Sequence, residues 1–206
     1  MLRSIELPDL RAAPHSTKKV EALLEEATRR IDEFLRRPTE PGDYCFVSSD
    51  FRAVDAHLAW IVDRQLPAGR AFCEWGSGYG VVTLLAALHQ FDACGIEVRA
   101  ELVKHAQRLA ADFDISAQFV CGSLIPEEGE QMVNYLEDLS YINTHAPSAY
   151  EELELDVNDF DLFFTFPWPG EERFCELLFD QYAANGALLL SYHGVEGFRL
   201  QRRVSK

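Results

Sequence analysis

With 206 residues, the chain is long enough for one domain with a substantial core. Hydrophobic residues make up 48% and aromatics 12%, which excludes a disordered chain. Its 34 acidic residues against 19 basic leave a net charge of -15, a surface that repels phosphate backbones and disfavours a nucleic-acid substrate.

Met1 to Pro14 has no apolar core preceded by basic residues, so no signal peptide is expected. Nor does any stretch approach the ~20 apolar residues of a membrane helix. Thr17 to Arg37 reads as an amphipathic helix, with Val20, Leu23, Leu24, Ala27, Ile31, Phe34 and Leu35 at three- and four-residue steps. Pro38 and Pro41-Gly42 end it. A second helix starts at the N-cap Asp50 and runs to about Leu66, before the break Pro67-Ala68-Gly69. Strands and helices then alternate. Ala71 to Trp75 is a strand and Gly78 to Gln90 a helix; Ala93 to Glu97 is a strand and Arg99 to Phe113 a helix. Ala117 to Cys121 is a third strand and Leu162 to Phe166 a fourth, followed by a helix from Glu171 to Ala184 and a fifth strand from Ala187 to Tyr192. Gly197 to Val204 returns as an antiparallel hairpin strand. This alternation predicts an α/β fold, a doubly wound and mostly parallel sheet with helices on both faces.

The segment from Leu124 to Asp161 is long and acidic and shows little periodicity. A helix over Glu130 to Leu139 is expected there, with a lid or insert around it. The division that follows is an N-terminal helical extension, 1–66, packed on an α/β domain, 67–206. The five cysteines, Cys45, Cys73, Cys94, Cys121 and Cys175, are scattered with no C-x-x-C pair. No metal site is therefore expected, and a cytoplasmic location fits.

One loop carries the chemistry. Glu74-Trp75-Gly76-Ser77-Gly78-Tyr79-Gly80 follows a buried strand and leads into a helix. Its glycines permit a tight turn with positive φ and a close approach of backbone amides to a ligand. The second strand ends at Glu97, about 20 residues after Gly76, where a carboxylate accepts hydrogen bonds from both hydroxyls of a ribose. A dinucleotide loop would need a third glycine where Val81 stands, so the spacing argues against a nicotinamide or flavin cofactor.

On these residues the span from Phe72 to Tyr192 resembles the class I S-adenosylmethionine-dependent methyltransferases, which share a Rossmann-like fold. The resemblance implies S-adenosylmethionine as cofactor. It implies Glu74 organising the loop and the methionine amine, Gly76, Ser77, Gly78 and Gly80 forming the loop, Glu97 on the ribose, and Gly122-Ser123 beside the adenine. Many members carry Asp where this chain has Ser123. Thr165-Phe166-Pro167-Trp168 resembles the family's Asn/Asp-Pro-Pro-aromatic motif, departing from it at Thr165 and Phe166. These residues are candidates for a wall beside the sulfonium, since aromatic faces attract cations. His193, just after the fifth strand, is the candidate general base. Phe46 or Ser49, upstream of the domain, can close over the cofactor, although Ser49 and Asp50 also suit a helix cap.

The resulting expectation is a methyltransferase acting on a small-molecule or protein acceptor. Alternatives are a cofactor-binding protein or subunit without transferase activity and, third, a nicotinamide-dependent oxidoreductase. The non-catalytic reading rests on the departures at Thr165 and Phe166. It also rests on a C-terminus with room for one further strand, where the family has two and a helix. That shortening predicts a sheet edge open to a partner subunit or a second copy.

Overall fold

The computed structural model describes residues 1–10, 17–37, 46–129, 132 and 146–205. The first element, β1 (Leu2–Ile5), is followed by helix α1 (Lys18–Leu35), whose first turn is capped by Thr17 accepting the Val20 amide at 3.3 Å. Helix α2 (Phe51–Asp63) is capped in the same way by Asp50, which accepts the Ala53 amide at 3.1 Å. Both helices bury the apolar stripes that their spacing predicts, Val20, Leu23, Leu24, Ala27 and Ile31 on α1 and Val54, Leu58 and Ile61 on α2.

The alternating region follows: β2 (Ala71–Trp75), α3 (Val81–Leu88), β3 (Asp92–Glu97), α4 (Ala100–Asp112), β4 (Gln118–Cys121), α5 (Ala149–Leu153), β5 (Leu162–Thr165), α6 (Glu172–Tyr182), β6 (Leu188–Tyr192) and β7 (Phe198–Arg203). The seven strands form one sheet in the order β1-β7-β6-β5-β2-β3-β4. Strands β2 to β6 are parallel to one another, and β7 runs antiparallel to β6. The doubly wound expectation holds.

Alternate residues of the strands feed two cores. Phe72, Leu162, Phe164, Leu188 and Leu190 face α1, α2, α3 and α4. Cys73, Trp75, Phe163 and Leu189 face α5 and α6. Both sides of the sheet are thus covered, and central strands such as β5 and β6 read as largely apolar runs.

Three features differ from the sequence reading. The N-terminus supplies a strand: Leu2 pairs with Arg203 and Ile5 with Leu200, so β1 covers the outer edge of β7. Four residues with two apolar positions carry too little signal; pairing with β7 makes them a strand. Second, α3 begins at Val81 and not at Gly78, because Gly76, Gly78 and Gly80 all have positive φ. Third, part of the 124–161 segment is core. Ala149, Tyr150, Leu153, Val157 and Phe160 are buried against β2, β5 and α6. Apart from Met132, the helix expected over Glu130 to Leu139 lies outside the described residues. Among the described residues, no helix is long and apolar enough to cross a membrane.

Candidate active site

The chain connects β2 to β3 on one side and later reaches β5 on the other, so the winding reverses between β2 and β5. Such a switch point leaves a crevice beyond the carboxyl ends of the strands. Here Trp75 and Thr165 are register partners at the ends of β2 and β5. A cavity of about 1080 Å³ opens at this place. Ligand cavities usually fall within about 300–1,000 Å³, so this one has room for a nucleoside cofactor and a second molecule.

The glycine loop is fastened to the end of β3. The amides of Gly76 and Ser77 both donate to the Ile96 carbonyl at 2.9 Å. The Gly78 amide donates to Glu97 Oε2 at 2.9 Å, and the Arg99 amide donates to Oε1 at 2.9 Å. Glu97 is 8% exposed and lines the cavity. Burial raises its pKa against the opposing pull of those backbone donors. With about four lone-pair sites, its carboxylate can accept more than the backbone amides of Gly78, Val98 and Arg99, as ribose recognition would require.

The other expected cofactor residues divide into two groups. Gly76, Gly78, Gly122 and Ser123 line the cavity with Glu97. Glu74, Ser77 and Gly80 lie beneath it and shape it. Glu74 Oε2 accepts the Thr83 amide at 2.8 Å and the Thr83 hydroxyl at 2.5 Å, tying β2 to the first turn of α3. Burial pushes its carboxyl up to about 8. Ser77 is buried, and its hydroxyl has no partner among the described residues. Gly80 caps α3 in the left-handed region, and a Cβ there would stand 2.4 Å from the Phe119 ring.

Two segments outside the glycine loop close this end of the cavity. Phe46 lies over the loop so tightly that a Cβ on Gly78 would meet its ring at 2.3 Å, and Phe46 and Val47 both line the cavity. Asp50 acts as a helix cap, and Ser49 borders a separate shallow cleft beside α1. On the opposite side, the Ser123 amide donates to Pro147 O at 2.7 Å and the Ala149 amide to Ser123 O at 3.0 Å. The Trp75 indole, which forms part of the wall, donates to the buried Tyr150 hydroxyl at 2.8 Å.

Thr165, Phe166, Pro167 and Trp168 line the far end of the cavity, together with His193. Thr165 is buried, and its hydroxyl hydrogen-bonds the Cys175 thiol, whose pKa burial pushes up to about 12. Phe166 packs on Tyr192 at 4.8 Å, Tyr192 on Phe198 at 4.7 Å, and Phe198 stacks on His57 at 4.1 Å. This aromatic series braces the wall against α2. His193 Nε2 lies 2.8 Å from Ser191 Oγ.

The sequence reading missed charged residues around this end: Glu171, Glu172, Glu176, Glu196 and Arg199 all line the cavity. They come from α6 and its N-cap, from the turn before β7 and from β7 itself, and nothing in their local sequence marks them. Arg99 was within reach of the reading, two residues past Glu97 at the cavity edge. Among the described residues, no group of three or more His, Cys, Asp or Glu is placed to hold a metal ion.

No family model and no curated protein matches the sequence. Solved structures do. One is an RNA methyltransferase from Salinibacter ruber in complex with S-adenosyl-L-homocysteine, at 17% identity and TM-score 0.52, with 76% of this chain and 92% of that chain covered. Another is a methyltransferase from Podospora anserina bound to the same compound, at 10% identity and TM-score 0.54, with 88% of this chain and 64% of that one covered. A third is an O-methyltransferase from Bacillus cereus, also in complex with it, at 11% identity and TM-score 0.51, covering 88% and 69%. At these identities the likeness is one of fold. The chain has the doubly wound, Rossmann-like fold of class I methyltransferases.

Proposed function

We propose that the chain is an S-adenosylmethionine-dependent methyltransferase acting on a small-molecule or protein acceptor. The observation that carries this is Glu97: a buried carboxylate at the end of β3 that holds the Gly78 amide and also lines the cavity at the switch point. The cradle fits the cofactor. Gly76 and Gly78 bring backbone to the cavity surface, Glu97 faces the ribose, and Gly122-Ser123 flank the adenine, with Phe46 above. Glu74, Ser77 and Gly80 set the loop's shape from beneath. Similar structures from three organisms, each bound to S-adenosyl-L-homocysteine, support the same choice.

The bound cofactor supplies an activated methyl group. The chain's own residues then need to align the acceptor and exclude water. Thr165, Phe166, Pro167 and Trp168 form the acceptor wall, where aromatic faces suit a sulfonium, and His193 is the proton acceptor. The division we assign places the cofactor in 67–206. Of 1–66, α1 and α2 pack on that unit and β1 joins its sheet. Cysteines with no C-x-x-C pair support a cytoplasmic setting, and the acidic surface supports an acceptor other than nucleic acid.

Calorimetric titration with S-adenosylmethionine tests the reading. Heat of binding and a raised melting temperature are expected; the absence of both refutes it. Tighter binding of a nicotinamide cofactor would favour an oxidoreductase. One observation favours a non-catalytic binding protein: the Thr165 hydroxyl is engaged by Cys175, where the family motif has a free amide or carboxylate. Transfer of a labelled methyl group to any acceptor from a cell extract excludes that second reading.

A further inference from the structure

Ser191 and His193 form a pair that no other part of the site explains. Ser191 is the penultimate residue of β6, in register with Thr165 of β5 and Arg199 of β7, and is 4% exposed. Its Oγ lies 2.8 Å from His193 Nε2. His193 follows β6 directly, and its amide donates to Gly197 O at 2.8 Å, which holds the backbone of the turn. Among the histidines of the described residues, His193 is the one that lines the cavity. Its Nδ1 has no protein partner among the described residues.

Resting on the methyltransferase reading, we propose that Ser191 holds His193 as an uncharged, Nε2-protonated imidazole whose Nδ1 accepts a proton from an amine or hydroxyl acceptor. Ser191 takes the Nε2–H into its buried hydroxyl oxygen, leaving the Nδ1 lone pair for the cavity. The balance of the step is simple. The acceptor atom forms a bond to the methyl carbon, the carbon–sulfur bond breaks with its electron pair staying on sulfur, and the acceptor's proton passes to Nδ1.

The surroundings suit both states of the ring. Burial and Arg199 of β7 lower the His193 pKa, so the ring is neutral before reaction. Glu172 and Glu176 of α6 and Glu196 of the turn act in the other direction, and they stabilise the imidazolium once it forms. These carboxylates also oppose an anionic acceptor, and a thiolate or carboxylate acceptor would have no proton to give. Ser191 is therefore a positioning residue and His193 the base.

The pair is tested first in ligand-free protein, by long-range proton–nitrogen NMR of the histidine rings. The wild type is expected to show His193 neutral at pH 7 with the proton on Nε2, and titrating below the ordinary 6.5. Ser191→Ala should mix the tautomers and move the titration, and Ser191→Thr should restore both. An Nδ1-protonated ring in the wild type, or no change in Ser191→Ala, overturns the proposal.

The base's place beside the reacting atoms is tested by binding. A protonated His193 opposes the sulfonium of S-adenosylmethionine but not the uncharged sulfur of S-adenosylhomocysteine. The affinity ratio of the two should fall roughly fivefold as pH drops through the His193 titration, an effect sized by screened repulsion of two unit charges. It should stay flat in His193→Gln. A pH-independent ratio in the wild type removes His193 from the reaction. If neither compound binds at any pH, the methyltransferase reading fails and the base role fails with it, while the tautomer result still reports on the pair.

Discussion

Gly78 donates its amide to the Glu97 carboxylate at 2.9 Å, joining the loop after β2 to the end of β3. The two residues are brought together by parallel pairing of their strands, which sets Trp75 opposite Ile96. One carboxylate thus shapes the loop and lines the cavity. Glu97→Ala is expected to weaken S-adenosylmethionine binding by roughly 10- to 100-fold, the loss of about 1.5–3 kcal/mol for hydrogen bonds to a charged group. Calorimetric titration measures it; an unchanged affinity would remove Glu97 from the site.

Gly78 also tests how the N-terminal segment covers the site. Gly78→Ala meets Phe46 at 2.3 Å and forces a side chain into φ +52°. The backbone part alone costs about 1–2 kcal/mol, and a melting temperature lower by several degrees is expected. In a Phe46→Ala background the steric part disappears and the backbone part remains. A double-mutant cycle should therefore show coupling between the two positions. Strict additivity would mean that Phe46 does not cover the loop.

Tyr150 lies in the segment that carries little periodicity, and yet its hydroxyl accepts the Trp75 indole N–H in the buried wall. Tyr150→Phe removes the acceptor and strands that N–H, at a cost of about 1–3 kcal/mol. Urea unfolding should show the loss as a lower midpoint with an unchanged slope. Trp75→Phe on top of it should cost less than its effect in the wild type, because no buried donor is then left unpaired.

Burial holds the Glu74 carboxyl at about 8, against an ordinary 4.5. Folded protein keeps a proton that the unfolded chain releases between those values. The stability tied to this proton is complete below about 4.5 and is lost as pH rises through about 8. Glu74→Gln keeps an acceptor for the Thr83 amide and does not titrate. Its unfolding free energy should therefore fall less than that of the wild type across this range. Parallel pH profiles for the two proteins would contradict the assignment.

Much of this was legible in the sequence. Elements with their own periodicity, such as α1 and α4, and strands with continuous apolar runs, such as β2 and β6, declare themselves locally, because burying their faces is what forms them. The glycine loop and Glu97 were legible for a related reason: positive φ and a strand-end carboxylate are demands on single residues at a fixed spacing. β1 was not, because its strand character comes from a partner at the other end of the chain.

The sequence by itself determined the doubly wound architecture and singled out the glycine loop and the strand-end Glu97, since each follows from local pattern. Only the tertiary structure decided the rest. It separated Glu74, Ser77 and Gly80, which build the loop from below, from Gly76, Gly78 and Glu97, which face the cavity. It brought Tyr150 to Trp75 and the carboxylates of α6 to His193, and it turned Ser191 onto the imidazole. Those contacts join residues from different elements, or depend on the turn of one strand end, and a wall made in this way has no signature along the chain.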